Sequence, residues 1–246
     1  AATLDDESAG FLVSAISGST TELSGQAMFA LRLTSQPTDN VTLGISSSDP
    51  GEGTVSVSSL TFTPQNWNAF QNVTVTGVND NVSDGNQTFV VELTPDNSTA
   101  DTAYRGNDPP DVFVVNIDDE SAGFAISAVS GPTSESGGTA TFTMRLNSQS
   151  TDNVTVAVSS NNLTEGTVSP TTLVFTPAAW NSYKTVTITG VNDNAADGNQ
   201  AYAVTLSAAI SNDGKYHGLD PADVAVVNLD DDSAGFLVSA ISGNLS

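Results

Sequence analysis

Residues 61–87, TFTPQNWNAFQNVTVTGVNDNVSDGNQ, carry most of what decides the fold. They open with a turn around Pro64 and Trp67, pass into an alternating run with Val73 and Val75 on one side, and end in a polar loop bearing Asp80 and Asp84. Apolar residues at every second position mark a strand with one buried face. The same order returns in residues 174–200, VFTPAAWNSYKTVTITGVNDNAADGNQ, with Trp180, Val186, Ile188, Asp193 and Asp197 in the matching places.

Working outward, a second marker sets the period. LDDESAGF begins at Leu4, IDDESAGF at Ile117 and LDDDSAGF at Leu229, giving periods of 113 and 112 residues. Solenoid repeats are far shorter, so each period is a whole domain in a beaded array. The reading is one repeat over residues 1–116 and a second over 117–228. Residues 229–246 are then the first strand of a third repeat or a donor strand for a neighbouring subunit.

Further alternating runs fill each copy. Phe29, Leu31 and Leu33, then Val41, Leu43 and Ile45, then Phe89, Val91 and Leu93, then Val112 and Val114 define strands in the first. Phe142, Met144 and Leu146, then Val154, Val156 and Val158, then Tyr202, Val204 and Leu206, then Val224 and Val226 define them in the second. No run has helical spacing. About seven short strands in a domain of this size predict an all-β chain of tandem immunoglobulin-like antiparallel β-sandwiches. Each tryptophan stands just ahead of a strand and is expected to cap the core rather than to stack on a ligand.

Composition narrows the function. The 246 residues carry 28 acidic side chains against five basic ones, a net charge of -23. Such a surface repels nucleic acid and anionic lipid and attracts cations. There is no cysteine, hence no disulfide or thiolate metal site. No apolar run is long enough to span a membrane. The lone histidine, His217, falls outside the repeated pattern, so no triad can be assembled around it. The chain is expected to be non-enzymatic.

Acidic residues recur at matching positions. A lone glutamate precedes a strand in each copy, Glu22 in TELSG and Glu135 in SESGG. The polar loop supplies Asp80 with Asp84, and Asp193 with Asp197. The domain junction supplies Asp118, Asp119 and Glu120, and again Asp230, Asp231 and Asp232. A less regular fourth position holds Asp49 and Glu52 in SSDPGEGT, against Asn162 and Glu165 in NNLTEGT. A single acidic dipeptide is ordinarily a solvated turn. A set that recurs with few basic neighbours suits calcium, a hard cation that takes six to eight oxygen ligands from flexible loops. The loop is not an EF-hand, since Val82 or Ala195 stands at its third position.

These residues resemble the Calx-beta domain, a family found in sodium–calcium exchangers and in large bacterial surface proteins. IDDESAGF is similar to its acidic strand-end signature, TELSG and SESGG to its Glu-x-x-Gly element, and VNDNVSDGNQTFVVEL to its acidic loop and following strand. The resemblance implies calcium ligands at Glu22, Asp49, Asp80, Asp84, Asp118, Asp119 and Glu120 in the first copy. In the second it implies Glu135, Asp193, Asp197, Asp230, Asp231 and Asp232. Asn79 and Asn192 replace one acidic member of the family's loop, and the second copy has no clear counterpart of Asp49. One or two structural ions per junction are therefore expected.

The functional expectation is a structural repeat of an extracellular or cell-surface fibre or adhesin stalk, stiffened by Ca2+. Its partners would be neighbouring copies of itself, head to tail, in one covalent array or a donor-strand filament. The alternative is a calcium-sensing or carbohydrate-binding β-sandwich module. Sequons at Asn40, Asn72, Asn81, Asn86, Asn97, Asn153, Asn162 and Asn244 add surface glycans to the expectations.

Overall fold

The structure, a computed structural model, describes residues 7–240 and 242–243. The chain divides into two compact units, Ala1–Glu120 and Ser121–Ser246. Each is a sandwich of one four-stranded and one five-stranded sheet.

In unit 1 the four-stranded sheet has the order β1 (Phe11–Val13), β3 (Gln26–Leu33), β7 (Gln71–Gly77) and β5 (Gly53–Val55). The five-stranded sheet has the order β2 (Thr20–Thr21), β9 (Val112–Ile117), β8 (Gln87–Pro95), β4 (Val41–Ser47) and β6 (Ser59–Phe62). Its first pairing, β2 on β9, is parallel. Residues between β1 and β2 thus carry the chain from one sheet to the other.

Unit 2 repeats this arrangement. Its four-stranded sheet runs β10 (Phe124–Ile126), β12 (Thr139–Leu146), β16 (Lys184–Gly190), β14 (Gly166–Ser169). Its five-stranded sheet runs β11 (Thr133–Ser134), β18 (Val224–Leu229), β17 (Gln200–Leu206), β13 (Val154–Ser160), β15 (Thr172–Phe175). One 3-10 turn, Pro177–Ala179, leads to Trp180.

The alternation read from sequence is the alternation of burial. In β3, Phe29, Leu31 and Leu33 are buried, while Met28 faces out. The facing strands contribute Val41, Leu43, Ile45, Val73, Val75, Phe89, Val91, Leu93, Val112 and Val114 to the same cluster. A pleated strand presents successive side chains to opposite faces, so a period of two is enough to build one core face. Trp67 and Trp180 pack half-buried against their cores, and their carbonyls accept the N–H of Leu33 and Leu146 at 2.9 and 3.0 Å. The core-capping expectation for both tryptophans holds.

A feature absent from the sequence reading closes each core. Tyr104 and Tyr216 are fully buried. Tyr104 donates its hydroxyl hydrogen to Ser35 O at 2.7 Å and accepts from Ser35 N at 3.2 Å; Tyr216 does the same with Ser148, at 2.7 and 3.1 Å. Phe11 of β1 meets the Tyr104 ring edge-on at 5.9 Å, as Phe124 of β10 meets Tyr216 at 6.0 Å. Three residues earlier, the Asp101 carboxylate accepts from Thr38 N at 2.7 Å and Ala103 N at 2.8 Å, fixing the loop that delivers the ring. Residues 233–240 pair with no strand, and Phe236, Leu237 and Val238 are almost fully exposed.

Candidate metal centres

The parallel step of β2 onto β9 places the first glutamate. Thr20 pairs with Asn116 and Thr21 with Ile117, and Glu22 N then donates to Ile117 O at 3.1 Å. Glu22 is thereby set beside the acidic run that leaves β9. That run turns on itself, because Glu120 N donates to Asp118 Oδ1 at 2.8 Å. Carboxylate oxygens of Glu22, Asp118 and Glu120 converge to within 4.8 Å of one another.

Unit 2 uses the same steps, Glu135 N to Leu229 O at 3.0 Å and Asp232 N to Asp230 Oδ1 at 2.8 Å, and gathers Glu135, Asp231 and Asp232.

A second cluster in each unit joins the β4–β5 turn to the loop before β8. Glu52 meets Asp80 and Asp84, and Glu165 meets Asp193 and Asp197, again within 4.8 Å. Val78 N donates to Glu52 O at 3.0 Å, tying turn to loop. Inside the loop, Asp80 Oδ1 accepts from Val82 N at 2.6 Å. At its far end, Gly85 N donates to Asp118 Oδ2 at 2.5 Å, and Gly198 N to Asp230 Oδ2 at 2.7 Å. Both glycines have positive φ, 86° and 78°, where a side chain would be strained. The Asp-Gly of the loop is thus what lets it reach the acidic run, and one loop serves both clusters.

Electrostatics sharpen the picture. Glu22 and Glu135 are 2% and 3% exposed. Buried oxygens with no hydrogen-bond partner include Glu22 Oε2, Glu120 Oε2, Glu135 Oε2 and Asp232 Oδ2; among the described residues the one other such atom is Ser150 Oγ. Burial, with Glu120, Asp80 and Asp118 around it, pushes the Glu22 carboxyl from the ordinary 4.5 to about 8. Burial and the charges of Asp193 and Asp230 raise Glu135, and burial likewise raises Glu120 and Glu52. A buried carboxylate oxygen without a donor needs a proton or a cation. Two facing carboxylates can share one proton, and a divalent ion removes the need for it.

The donor sets fit such an ion. All the ligating atoms are hard oxygens. A separation of up to 4.8 Å is what two oxygens on one calcium show, each about 2.3–2.6 Å from the metal. The residues present would hold a divalent cation, which would supply positive charge to groups that otherwise repel.

Of the ligands anticipated from sequence, Glu22, Asp80, Asp84, Asp118 and Glu120 come together in unit 1, and Glu135, Asp193, Asp197, Asp231 and Asp232 in unit 2. Asp49 is outside both trios: its Oδ1 accepts from Gly51 N at 3.0 Å within its own turn, and it acts on Glu52 through its charge. Asp119 is exposed and acts on Glu120 through its charge. Asp230 accepts from Gly198 N and Asp232 N just as Asp118 accepts from Gly85 N and Glu120 N, yet in unit 2 it is Asp231 that completes the trio.

Two members lie outside the anticipated ligand set, Glu52 and Glu165. Both occur in Glu-Gly-Thr-Val, at 52–55 and 165–168, and that identity was the available signal. The glycine after each lies under an aromatic ring, Phe89 or Tyr202, where any Cβ would collide. Sequon residues Asn40, Asn72, Asn81, Asn86, Asn97 and Asn153 are exposed and Asn162 partly so, whereas Asn244 lies outside the described residues. Asn86 Oδ1 accepts from Asp118 N at 3.2 Å, which places this sequon against the first cluster.

The model of the Calx-beta domain matches residues 5–121 and again 118–233. The chain belongs to the Calx-beta domain family. It is a tandem of two Calx-beta domains. No curated protein matches it. Among solved structures, the tandem is similar to CBD12 from CALX1.2 at 15% identity and a TM-score of 0.37, over 80% of this chain and 79% of that one. It is also similar to domains 4 and 5 of the S-layer protein SbsC, at 16% identity and a TM-score of 0.33 over 76% and 75% of the two chains. A protein of unknown function from Porphyromonas gingivalis W83 aligns at 12% identity and a TM-score of 0.30, over 89% of this chain and 99% of that one.

Proposed function

We propose that these Calx-beta domains form a structural repeat of an extracellular or cell-surface fibre or adhesin stalk, stiffened by calcium at the carboxylate clusters. The observation that carries this reading is the set of buried carboxylate oxygens without a donor, at equivalent places in both units. Side chains held in that state are stable when a cation completes them. Calcium suits irregular, carboxylate-rich loops better than magnesium, which demands near-ideal octahedral geometry.

The acidic run is also the route out of unit 1. Only Ser121, Ala122 and Gly123 separate Glu120 from β10, too few for a long flexible linker. A cation tying Glu120 to Glu22 would restrict that short connection. At a tenfold excess over Kd each ion would add about 1.4 kcal/mol, and several sites acting together would add more. Among the described residues no helix is long and apolar enough to cross a membrane.

Self-association fits the same picture. Residues 233–243 repeat residues 8–18 letter for letter. Phe11 packs on Phe62 and Tyr104, whereas Phe236 is 99% exposed. The exposed segment would pair along a β3-type edge of a next domain, in the same covalent chain or in a neighbouring subunit.

Calorimetric titration of the whole chain with calcium, thermal melting in EDTA and in millimolar calcium, and small-angle scattering test this together. Binding, a higher melting temperature and a longer, narrower particle with calcium are expected. Absence of binding heat and of any melting shift would sink the cation. Binding without a change in scattering would sink the stiffening.

A further inference from the structure

Each unit buries an asparagine between its two clusters. Asn116, on β9, and Asn228, on β18, are fully buried. Asn116 Oδ1 accepts from Thr20 Oγ1 at 2.9 Å, and its Nδ2 donates to Glu52 Oε2 at 3.2 Å and Val78 O at 3.1 Å. Asn228 repeats the set with Thr133 Oγ1 at 2.9 Å, Glu165 Oε2 at 3.3 Å and Val191 O at 3.1 Å. A carboxylate and a carbonyl on one side can only accept, which fixes the orientation of the amide. Both N–H groups and the oxygen are used.

The position of this amide in the chain matters as much as its bonds. Thr20 lies two residues before Glu22, and Asn116 two residues before Asp118. Glu52 belongs to the other cluster, and Val78 begins the loop that carries Asp80 and Asp84. One side chain therefore touches the supports of every ligand-bearing segment in its unit. Space is kept for it: a Cβ on Gly77 would run into Asn116 Oδ1 and Thr21 O, and one on Gly190 into Asn228 Oδ1 and Ser134 O.

We propose that Asn116 and Asn228 are positioning residues that bridge the two carboxylate clusters of their unit, holding both in the geometry that receives divalent cations. This rests on the reading that the clusters bind such ions. Partners that orient ligands without touching the metal typically change affinity 10–100-fold when removed.

The test uses the whole 15N-labelled chain, titrated with calcium at a temperature well below melting. The amides of Glu120 and Val82 report the two clusters of unit 1, and those of Asp232 and Ala195 report unit 2. Asn116→Leu is expected to weaken calcium at both unit 1 reporters by tenfold or more and to leave unit 2 at wild-type affinity. Thr20→Val, which removes only the hydroxyl donor, should weaken the same two reporters by a smaller factor and serves if the leucine variant unfolds unit 1. Unchanged affinities in a variant that merely melts earlier in EDTA would overturn the proposal, leaving the amide a purely structural plug. Weakening confined to Val82 would overturn the bridge. If the wild-type chain itself shows no calcium shift at any reporter, the cation reading fails first and the inference falls with it.

Discussion

Glu22 and Glu120 face each other at the end of unit 1, each with a buried oxygen that receives no hydrogen bond. Burial raises both carboxyls, and the charge of Asp118 adds to each rise. The native fold thus contains a pair of groups that repel when ionised. Without a counter-ion they oppose folding, and with one they favour it.

Replacing Glu22 by glutamine removes one charge and supplies a donor toward Glu120. The cation-free Glu22→Gln chain is expected to melt several degrees above wild type at pH 8, and to lose most of unit 1's calcium-induced gain. Calorimetric scans in EDTA and in calcium measure both. A variant that melts below wild type in EDTA would contradict the account.

Stability should vary with pH in a direction set by these groups. Glu22 rises from 4.5 to about 8 on folding, so between those values the native chain holds more protons than the unfolded one. That contribution is fully favourable below about pH 4.5 and is lost as pH climbs through about 8. Asp101 works in the opposite sense. Burial alone would raise it, but N–H donors from Thr38 and Ala103 and the Thr38 hydroxyl overcome that and hold it below the ordinary range. Its contribution is lost as pH falls. Melting of the cation-free chain is expected to be highest at mildly acidic pH and to decline toward pH 8, and calcium should abolish the decline.

Gly77 and Gly190 have no room for a methyl group. Alanine at either position would drive a Cβ into the backbone oxygen of Thr21 or Ser134 and into the neighbouring asparagine. A loss of about 1–3 kcal/mol is expected for each, by chemical denaturation of the whole chain. Alanine at Gly131 or Gly214, where a Cβ meets nothing within 4 Å, is the control expected to change little.

Tyr104→Phe and Tyr216→Phe keep the ring and remove the hydroxyl that holds Ser35 or Ser148. Each should destabilise its unit by about 1–3 kcal/mol, because backbone groups of those serines lose a partner. Equal stability to wild type would show that water replaces the hydroxyl at no cost.

The strands were legible because a half-buried sheet writes its geometry into every second residue; Phe29, Leu31 and Leu33 needed no structure to be assigned to one face. The repeat was legible because the chain states it twice, and the acidic loop because Asp80 and Asp84 recur as Asp193 and Asp197. Tyr104, Asn116 and Glu52 were not legible in the same way. Each acts on residues far along the chain, Tyr104 on Ser35, Asn116 on Thr20 and Glu52 on Asp80. Asn116 recurs as Asn228, but so does Asn40 as Asn153 and Asn86 as Asn199, and a local window does not tell which of them is buried.

By itself, the sequence determined the class of fold, the domain period and the chemistry gathered at the domain ends, since these follow from local periodicity and composition. Only the tertiary structure decided which carboxylates meet. The parallel step of β2 onto β9 brings Glu22 to Glu120, and the β4–β5 turn brings Glu52 to the loop, while Asp49 and Asp119 are left aside. Those outcomes depend on strand register and on buried hydrogen bonds between distant segments, where free energy is set by contact in space rather than by neighbours in sequence.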